Sequence, residues 1–595
     1  MAPLAPALAA QPLDAVEVSV CGPAALTAPA VAHLRALGAR PVEIPGPAGP
    51  ARFQAPGGVS AELAWADLCT DADAAEEATV QAVAGIMHVH GRRDGEPRGL
   101  ATDYAATCAS VLTVQGLLAA LVGQARGGSG AHVRTGADRA ALLTVSQYLA
   151  AAGAPEDEAV LLAPGSSPPF TAADGTRFEL EALDPGLWAA FWRALGAPSE
   201  AVRSGWRPFQ FRYATACAPL PEALHAATRA ASWAAVRRAA AAVGADVCRV
   251  RTLAERAGDP PPGEPWSFRT GEQAARTPAE PAARPAAVAL PLAGLTVLEA
   301  GRRVQAPLAA HLLGLLGADV IRIEPPGGDP LRGMPPCCDG VSARWLALNR
   351  GKRAEQIDIK TPAGQHELRE LAAGADVFLH NWAPGKAEQL GLDADALGAV
   401  NPGLVYAYTG GWAGRLPGAP LGTDFMVQAR TGVADAARPA DEPLAPSLMT
   451  LLDVLGGLHG AEAVLAALLL RERTGRGVRT ESSLLGAAET LTGAALRQAA
   501  AGGDPRRPAG FRRPLPTADG WVAVADDSAA GARAHTGRLR HLGTTSAVAL
   551  LRARGLTATA VTTDLRALPA DRRLRGALTR DSHGALAVPT PWRFS

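Results

Sequence analysis

Two segments of the sequence share one pattern, and this pattern constrains the fold more than any other feature. Residues 292–324, LAGLTVLEAGRRVQAPLAAHLLGLLGADVIRIE, contain an apolar strand, a loop with Ala-Pro, an apolar helix, a Gly-Ala turn and a second strand. Residues 13–44, LDAVEVSVCGPAALTAPAVAHLRALGARPVEI, repeat this order less clearly. Strand–helix–strand units of this kind place both strands parallel in one sheet. The chain is therefore predicted to contain two copies of one α/β fold.

Further matching segments follow the two units in the same order. Val80-Gln-Ala corresponds to Val427-Gln-Ala, and Ala173-Asp-Gly corresponds to Ala518-Asp-Gly. The second copy is much longer before the Val-Gln-Ala segment, whereas the first copy is longer after the Ala-Asp-Gly turn. We therefore expect the first copy to have lost much of its sheet domain and kept its small domain. The second copy is expected to show the reverse.

These matches predict the domain organisation. The first copy is expected at residues 1–255, with a large-domain remnant near 13–160 and a small domain near 161–255. Residues 256–290 are rich in Pro, Ala and Glu without an apolar period, and are predicted to be a linker. The second copy is expected at residues 291–595, with a Rossmann-like parallel-sheet large domain and a shortened small α+β domain. The copies are expected to associate within one chain as a pseudo-dimer.

The composition excludes several classes of function. Lys+Arg and Asp+Glu both number 57, so no net charge attracts nucleic acid or an anionic membrane. The 7 cysteines form no disulfide framework and predict free thiols in a reducing, cytoplasmic compartment. Tyr104–Ala125 is long enough to cross a bilayer, but its small and polar residues favour a buried helix. The first residues lack a positively charged region and are not expected to be a signal peptide.

Three polar features are candidates for chemistry. Asn349-Arg-Gly-Lys352-Arg353 places three cations beside a flexible glycine, which suits either the phosphates of a polyanion or a solvated basic turn. Gln305 follows the first strand of the second copy, at the carboxyl end of a parallel sheet, where ligands usually bind. Asp453 opens an apolar helix, where an isolated aspartate is most often an N-cap that accepts backbone N–H groups.

Several motifs occur together in the second copy, and their combination is specific although each one alone is weak. With these motifs the chain resembles the family III CoA-transferases (CaiB/BaiF), the group of formyl-CoA transferase and the carnitine CoA-transferases. The resemblance is clear over residues 292–595 and weak over 13–268. The motifs are Asp329-Pro-Leu-Arg-Gly, Leu346-Ala-Leu-Asn-Arg-Gly-Lys-Arg, His380-Asn-Trp-Ala-Pro-Gly, Leu451-Leu-Asp-Val-Leu-Gly and Arg473-Thr-Gly-Arg-Gly.

The resemblance implies an enzyme that moves coenzyme A from an acyl-CoA thioester to a free carboxylic acid. Asp453, at the family's spacing before Arg473, resembles the nucleophile that forms an aspartyl anhydride and then an aspartyl-CoA thioester. Gln305 corresponds to the loop that meets the thioester. Coenzyme A enters as a substrate, and both a monomeric pseudo-dimer and a homodimer fit the resemblance. The residues expected to bind coenzyme A are Arg332, Asn349, Lys352, Arg353, Asn381 and Gly385.

Other activities remain open at this point. The family also contains racemases whose catalytic His precedes an Asp, whereas this chain has Thr423 there, and Thr423 is no base at neutral pH. Isomerisation or elimination of a CoA ester and a non-catalytic acyl-CoA-binding role remain alternatives. No metal is expected, because His88 and His90 have no further ligands nearby in the sequence.

The first copy lacks the residues that carry these expectations. The family's spacing before Arg126 falls on Ala106, and Asp103 lies nearly one helical turn too early. The first copy is therefore expected to be a scaffold, and a candidate for one wall of the acyl pocket.

Overall fold

The computed structural model describes residues 11–46, 49–156, 166–271 and 290–595. The first ten residues and residues 272–289 of the expected linker lie outside the described residues.

The first copy contains a mixed sheet in which the strand order is β2-β1-β3-β4-β5. β1 lies parallel to β2, and β4 lies parallel to β5, but β3 runs antiparallel to both of its neighbours. A short β3–β4 hairpin thus occupies the middle of this sheet. The strands are β1 Glu17–Cys21, β2 Arg40–Glu43, β3 Ala51–Gln54, β4 Ser60–Ala64 and β5 His132–Gly136.

The first copy ends in a small domain with its own aromatic core. Three antiparallel strands, β6 Phe170–Thr171, β7 Arg177–Glu181 and β8 Asp246–Arg249, pack against helices through buried rings that include Trp188 and Trp192. The helices of the first copy are α1 Ala24–Ala36, α2 Glu77–Ala84, α3 Ile86–Gly91, α4 Tyr104–Ala125, α5 Ala137–Thr144, α6 Ser146–Ala152, α7 Pro185–Ala194, α8 Ser199–Gln210, α9 Arg212–Thr215, α10 Glu222–Arg229, α11 Trp233–Val243 and α12 Leu253–Ala257.

The second copy contains a parallel sheet, preceded in the chain by strand β9. Its order, β14-β11-β10-β15-β16-β17, reads 3-2-1-4-5-6 along the second copy, which is the order of the doubly wound dinucleotide-binding fold. The strands, with the short hairpin β12–β13, are β9 Trp266–Thr270, β10 Thr296–Ala300, β11 Asp319–Glu324, β12 Cys337–Cys338, β13 Val341–Ser342, β14 Arg353–Gln356, β15 Val377–His380, β16 Val405–Gly410 and β17 Val478–Ser483.

A small domain and short strands complete the second copy. The small domain is an antiparallel sheet of β18 Leu515–Pro516, β19 Trp521–Val524 and β20 Ala558–Ala560, followed by β21 Thr579–Arg580, β22 Leu586–Ala587 and β23 Arg593–Phe594. The helices are α13 Gln305–Leu315, α14 Ala343–Asn349, α15 Pro362–Ala373, α16 Lys386–Leu390, α17 Ala394–Val400, α18 Asp424–Thr431, α19 Val433–Ala436, α20 Leu451–Thr474, α21 Leu484–Ala500, α22 Ala529–Arg533, α23 Thr536–Leu539 and α24 Thr544–Arg552.

The two copies exchange their closing strands. β9, which follows the small domain of the first copy, pairs antiparallel with β17 of the second copy. β23, at the end of the chain, pairs antiparallel with β5 of the first copy. The expectation of a linker from residue 256 is therefore wrong for residues 266–270, because their backbone groups complete the edge of the second sheet.

The small domains also cross over. β7 and β8 of the first copy pack on α18 of the second, where Cys248 and Val250 meet Met426 and Ala429. β19 and β20 of the second copy pack on α2 of the first, where Ala523 shares an apolar cluster with residues of α2. Each sheet domain is thus covered by the small domain of the other copy.

Helices α4 and α20 pack against each other at the centre of the molecule. Both are long and apolar enough to cross a membrane, but 94% of the most apolar window of each is buried inside the protein. The expectation that Tyr104–Ala125 is a buried helix is confirmed.

We expect residues 11–271 and 290–595 to be insoluble when they are produced separately and to form a stable complex when they are co-expressed. Each fragment would expose the apolar face of α4 or α20 and lose one edge strand of its sheet, and exposed faces of this kind drive association. Co-purification and gel filtration measure the outcome. A soluble 290–595 fragment that unfolds cooperatively would contradict the assignment of α4 as its partner surface.

Candidate active site

A cavity of about 1720 Å³ opens at the carboxyl ends of the parallel strands in the second copy. The loop from Arg302 to Gln305 follows β10, and the loop from Asn381 to Lys386 follows β15; both line this cavity. The strand order reverses between β10 and β15, and ligands of open parallel sheets bind at such a switch point. The fold therefore places the cavity where a substrate is expected.

The opposite wall of the cavity comes from the first copy. Its small domain contributes Glu181 at the end of β7, Trp206 on α8, and the turn from Gln210 to Tyr213. Arg212 forms a buried ion pair with Glu181 at 3.1 Å, so this wall is held rigidly. The cavity is thus built by both copies of the chain.

Asp453 lies in the first turn of α20 and lines the cavity, but it does not cap the helix. The carboxylate of Asp424 accepts the backbone N–H groups of Leu452 and Asp453, both at 2.7 Å. Asp424 also accepts a hydrogen bond from the Gln428 amide at 2.5 Å. The N-cap interpretation of Asp453 is therefore wrong, because Asp424 performs that function from another helix and leaves the Asp453 carboxyl group facing the cavity.

The carboxyl groups of Asp453 and Asp424 have different surroundings. Burial raises the pKa of Asp453, the neighbouring charge of Asp424 raises it further, and the Arg303 guanidinium opposes the shift. Burial also raises the pKa of Asp424, but the three N–H donors that it accepts stabilise its ionised form. We infer that Asp424 ionises at a lower pH than Asp453. A carboxyl group with a raised pKa is basic and reactive once it is ionised.

Strained backbone is concentrated around the cavity. Arg303, Ala413 and Thr450 line it with φ angles of 62°, 50° and 53°, in the left-handed region that side chains with a Cβ atom disfavour. A β-branched residue such as Thr450 adopts this conformation only when its surroundings impose it. Such strain is typical of functional sites.

Gln305 begins α13 and packs against α20 at Gly456 and Gly457. Its amide donates a long hydrogen bond of 3.4 Å to the carbonyl oxygen of Gly410. A Cβ atom at Gly457 would lie 2.9 Å from the backbone oxygen of Gln305, so glycine at this position lets the two helices approach closely. Gln305 is 5% exposed, and that exposed part lines the cavity.

Asn381 joins the two loops at the switch point. Its side chain accepts the backbone N–H of Arg302 at 2.8 Å and donates to the Arg302 carbonyl at 3.0 Å. Gly385, with φ of 76°, makes the turn that presents Lys386 to the cavity. Asn381 and the turn at Gly385 therefore lie at the cavity, where the sequence placed them.

Lys352 and Asn349 lie elsewhere. The Lys352 ammonium group is buried and donates to Glu299 at 2.7 Å, to the Pro307 carbonyl at 2.8 Å and to Asn349 at 2.9 Å. Neither residue is among those that line the cavity, because Lys352 neutralises the buried carboxylate of Glu299, and their contact with coenzyme A stays a prediction.

Arg332 and Arg353 are not among the side chains that line the cavity. Arg332 lies beside it, where it donates to the cavity-lining Glu324 at 2.8 Å and stacks on the Trp345 ring at 3.9 Å. Arg353 begins β14, at the amino ends of the strands, and forms an ion pair with Asp319. The sequence showed Arg353 to be cationic, but it did not show which edge of the sheet this residue occupies.

The sequence did not identify four cations that line the cavity from the segments after its parallel strands. Arg302 and Arg303 follow β10, Lys360 follows β14, and Lys386 follows β15. Each comes within a few residues of the carboxyl end of a parallel strand, and this position was the signal that could have identified them.

The first copy contains the same helix-capping arrangement without the reactive group. The Glu77 carboxylate accepts the N–H groups of Ala105 and Ala106 at 2.8 and 2.9 Å, as Asp424 does for Leu452 and Asp453. Ala106 therefore occupies the position of Asp453, in agreement with the spacing in the sequence.

The corresponding space in the first copy is occupied by Arg512. Its guanidinium group donates to the carbonyl oxygens of Leu100 and Thr102 and forms ion pairs with Asp103 at 2.6 Å and Asp526 at 2.7 Å. The Asp103 carboxylate is thus held in a salt bridge.

His88 and His90 are not among the residues that line the cavity. Burial lowers the pKa of His88 to about 4 and that of His90 to about 3, and His90 shares a hydrogen bond of 2.8 Å with Ser447. Thr423 does line the cavity, where its hydroxyl group donates to Glu181 at 2.7 Å.

We expect Asp453→Asn to stabilise the protein more at pH 8 than at pH 5. Because the pKa of Asp453 is raised in the folded state, the folded protein retains a proton that the unfolded chain has lost. Stability therefore falls as the pH rises from about 4, the ordinary carboxyl pKa, up to the raised pKa. Asparagine does not ionise, so the variant avoids this loss of stability. Thermal unfolding of both proteins at the two pH values is the measurement, and an equal shift at both would show that Asp453 titrates normally.

Comparison with known proteins gives consistent results for both copies. The sequence profile of CoA-transferase family III matches residues 70–287 and 292–575. The beta subunit of succinyl-CoA–L-malate CoA-transferase from Chloroflexus aurantiacus is 39% identical over 204 residues, which are 33% of this chain and 49% of that protein. The succinate–glutarate CoA-transferase of Agrobacterium fabrum is 32% identical over 252 residues, 40% of this chain and 63% of that protein.

A crystal structure of a CaiB/BaiF family protein from Brucella suis is 29% identical, with a TM-score of 0.47, and covers 52% of this chain and 93% of that chain. The chain spans about half the length of the first curated relatives that it matches. The two matched segments together cover most of the chain, and each lies mainly in one of its two copies. The chain belongs to CoA-transferase family III, and it carries two copies of the family's fold in tandem.

Proposed function

We propose that this chain transfers coenzyme A from an acyl-CoA thioester to a free carboxylic acid, in the cavity that its two copies build together. The observation that carries this proposal is the Asp453 carboxyl group, which faces the cavity at the switch point while Asp424 caps its helix. The names of the relatives support the same chemistry.

The proposed reaction uses Asp453 as a nucleophile in exchanges that balance. Its carboxylate attacks the thioester carbonyl, which releases the CoA thiolate and forms a mixed anhydride. The thiolate then attacks the aspartyl carbonyl, which releases the first acid and leaves an aspartyl-CoA thioester. The second acid repeats both steps in reverse and regenerates the carboxylate.

The tetrahedral intermediates require hydrogen-bond donors for their oxyanions. The Gln305 amide is the candidate donor, since its bond of 3.4 Å to Gly410 is weak and can be exchanged for a bond to an oxyanion. The first turn of α20 adds the positive end of a helix dipole beside the reacting carbonyl group.

The phosphates of coenzyme A are proposed to bind Arg302, Lys360 and Lys386. These cations line the cavity from three loops at the carboxyl edge, and none of the three side chains makes an ion pair among the described residues. Charged donors that surround an open groove suit a diphosphate and a third phosphate. Asn381 contributes by holding the Arg302 loop.

The carboxylic acid is proposed to bind near Arg303 and Tyr213. The Arg303 guanidinium lies 5.7 Å from the Tyr213 ring, which belongs to the first copy, and it interacts electrostatically with Asp453. A cation next to the nucleophile would attract the incoming carboxylate. Since the relatives named above act on succinate, malate or glutarate, short dicarboxylic acids are the first substrates to test.

The alternative activities have less support in the site. Racemisation needs a base at the position of Thr423, whose hydroxyl group is bound to Glu181. A purely binding role would not require a cavity-facing carboxyl group beside a dedicated helix cap.

We expect Asp453→Ala to abolish CoA transfer between succinyl-CoA and a second dicarboxylic acid while the protein remains folded, because Asp424 keeps its role as helix cap. Mass spectrometry of the parent enzyme with succinyl-CoA should detect a CoA adduct on the peptide that contains Asp453. Asp103→Ala is the matched control and should remain active. Turnover by Asp453→Ala at the parental rate would rule out the anhydride pathway.

We expect one CoA site per chain, weakened by charge reversal at Lys360 or Lys386. Loss of a charge-assisted contact costs about 1.5–3 kcal/mol, which is roughly a tenfold or larger rise in the dissociation constant. Arg353→Glu is the control, since Arg353 lies at the opposite edge of the sheet, and it should bind CoA normally. Calorimetry that shows two sites, or a greater loss with Arg353→Glu, would contradict the assignment.

A further inference from the structure

Three side chains that are typical metal ligands converge at the seam between the two copies. His33 lies on α1 of the first copy, whereas His459 and Glu462 lie on α20 of the second. Their ligand atoms are all within 4.8 Å of one another. His33 is 2% exposed, and the other two side chains are fully buried.

The His33 ring has a polar partner at each of its two nitrogen atoms. Its Nδ1 atom lies 2.9 Å from a carboxylate oxygen of Glu462, and its Nε2 atom lies 3.3 Å from the hydroxyl group of Thr490. Histidines that bind metals usually have their second nitrogen held by such an outer partner, which fixes the ring and its tautomer.

His459 has no such partners. Neither of its ring nitrogens has a hydrogen-bond partner among the described residues, and the same is true of the nearby Trp266 indole N–H. A buried polar group without a partner destabilises the fold, because it has lost its hydrogen bonds to water. A polar species at this position would relieve the cost.

The rings are arranged suitably for a common ligand. The planes of His33 and His459 are inclined by 75°, with ring centroids 5.1 Å apart, which lets two nitrogens approach one point from different directions. Two imidazoles and one carboxylate form a donor set that zinc accepts, with a fourth position for water.

We propose that His33, His459 and Glu462 bind one divalent transition-metal ion, with zinc as the best match, at the seam between the two copies. The ion joins α1 of the first copy to α20 of the second. The first copy lacks this donor set, because Leu112 and Gln115 stand on α4 where α20 carries His459 and Glu462. The sequence did not reveal the site, because the two histidines come from segments far apart in the chain.

The test is the zinc content of the purified full-length chain after chelation and reconstitution with zinc ions. We expect elemental analysis by mass spectrometry to find one zinc ion per chain. His459→Leu and Glu462→Gln, which introduce the residues of the first copy, should retain less than a tenth of it. His311→Gln, a buried histidine at the corresponding place on α13, is the control and should retain all of it. The proposal would be overturned if the reconstituted protein contained no zinc. It would also be overturned if His459→Leu contained as much zinc as the parent protein.

X-ray absorption at the zinc edge of the unmodified chain tests the proposal without any variant. Scattering from two histidine rings and one carboxylate at zinc-ligand distances is expected. A spectrum without histidine scattering would assign the zinc to another place and overturn the proposal.

Discussion

The packing of α4 against α20 is the contact on which the rest of the structure depends. Each helix is the longest in its copy, and both are almost entirely buried, so neither copy has a complete core without the other. This contact sets the register of the whole pseudo-dimer. It places the first turn of α20, with Asp453, at the cavity, and the equivalent turn of α4, with Ala106, at the closed counterpart.

The crossed small domains explain why the two copies lost different parts. The cavity uses the sheet domain of the second copy and the small domain of the first, and these are the two parts that stayed long in the sequence. The remaining two parts face each other around Arg512, where no cavity is needed. A twofold arrangement of this kind has two equivalent sites, each built by the sheet domain of one copy and the small domain of the other. Loss of one site therefore shortens only the two domains that build it.

The electrostatics of the cavity depends on two carboxyl groups, Asp424 and Asp453, which have different roles. Asp424 accepts the backbone N–H groups at the start of α20, so the Asp453 carboxyl group does not cap the helix and lines the cavity. Glu77 makes the same cap in the first copy, where Ala106 occupies the position of Asp453. The cap is therefore common to both copies, whereas the cavity-lining carboxyl group belongs to the second copy.

The sequence by itself determined the duplication, the parallel strand–helix–strand units and the buried character of Tyr104–Ala125. It also determined that Asp453 and Gln305 lie at the starts of helices or of the loops that lead into them. These features follow from local apolar periodicity and from spacing along the chain. Tertiary structure alone decided that Lys352 is buried against Glu299, that Arg353 lies at the far edge, that β9 closes the second sheet, and that His33 meets Glu462. The physical reason is that spacing along the chain sets which element a side chain belongs to. Its direction and its partners depend on elements that are distant in sequence and that meet only when the core packs.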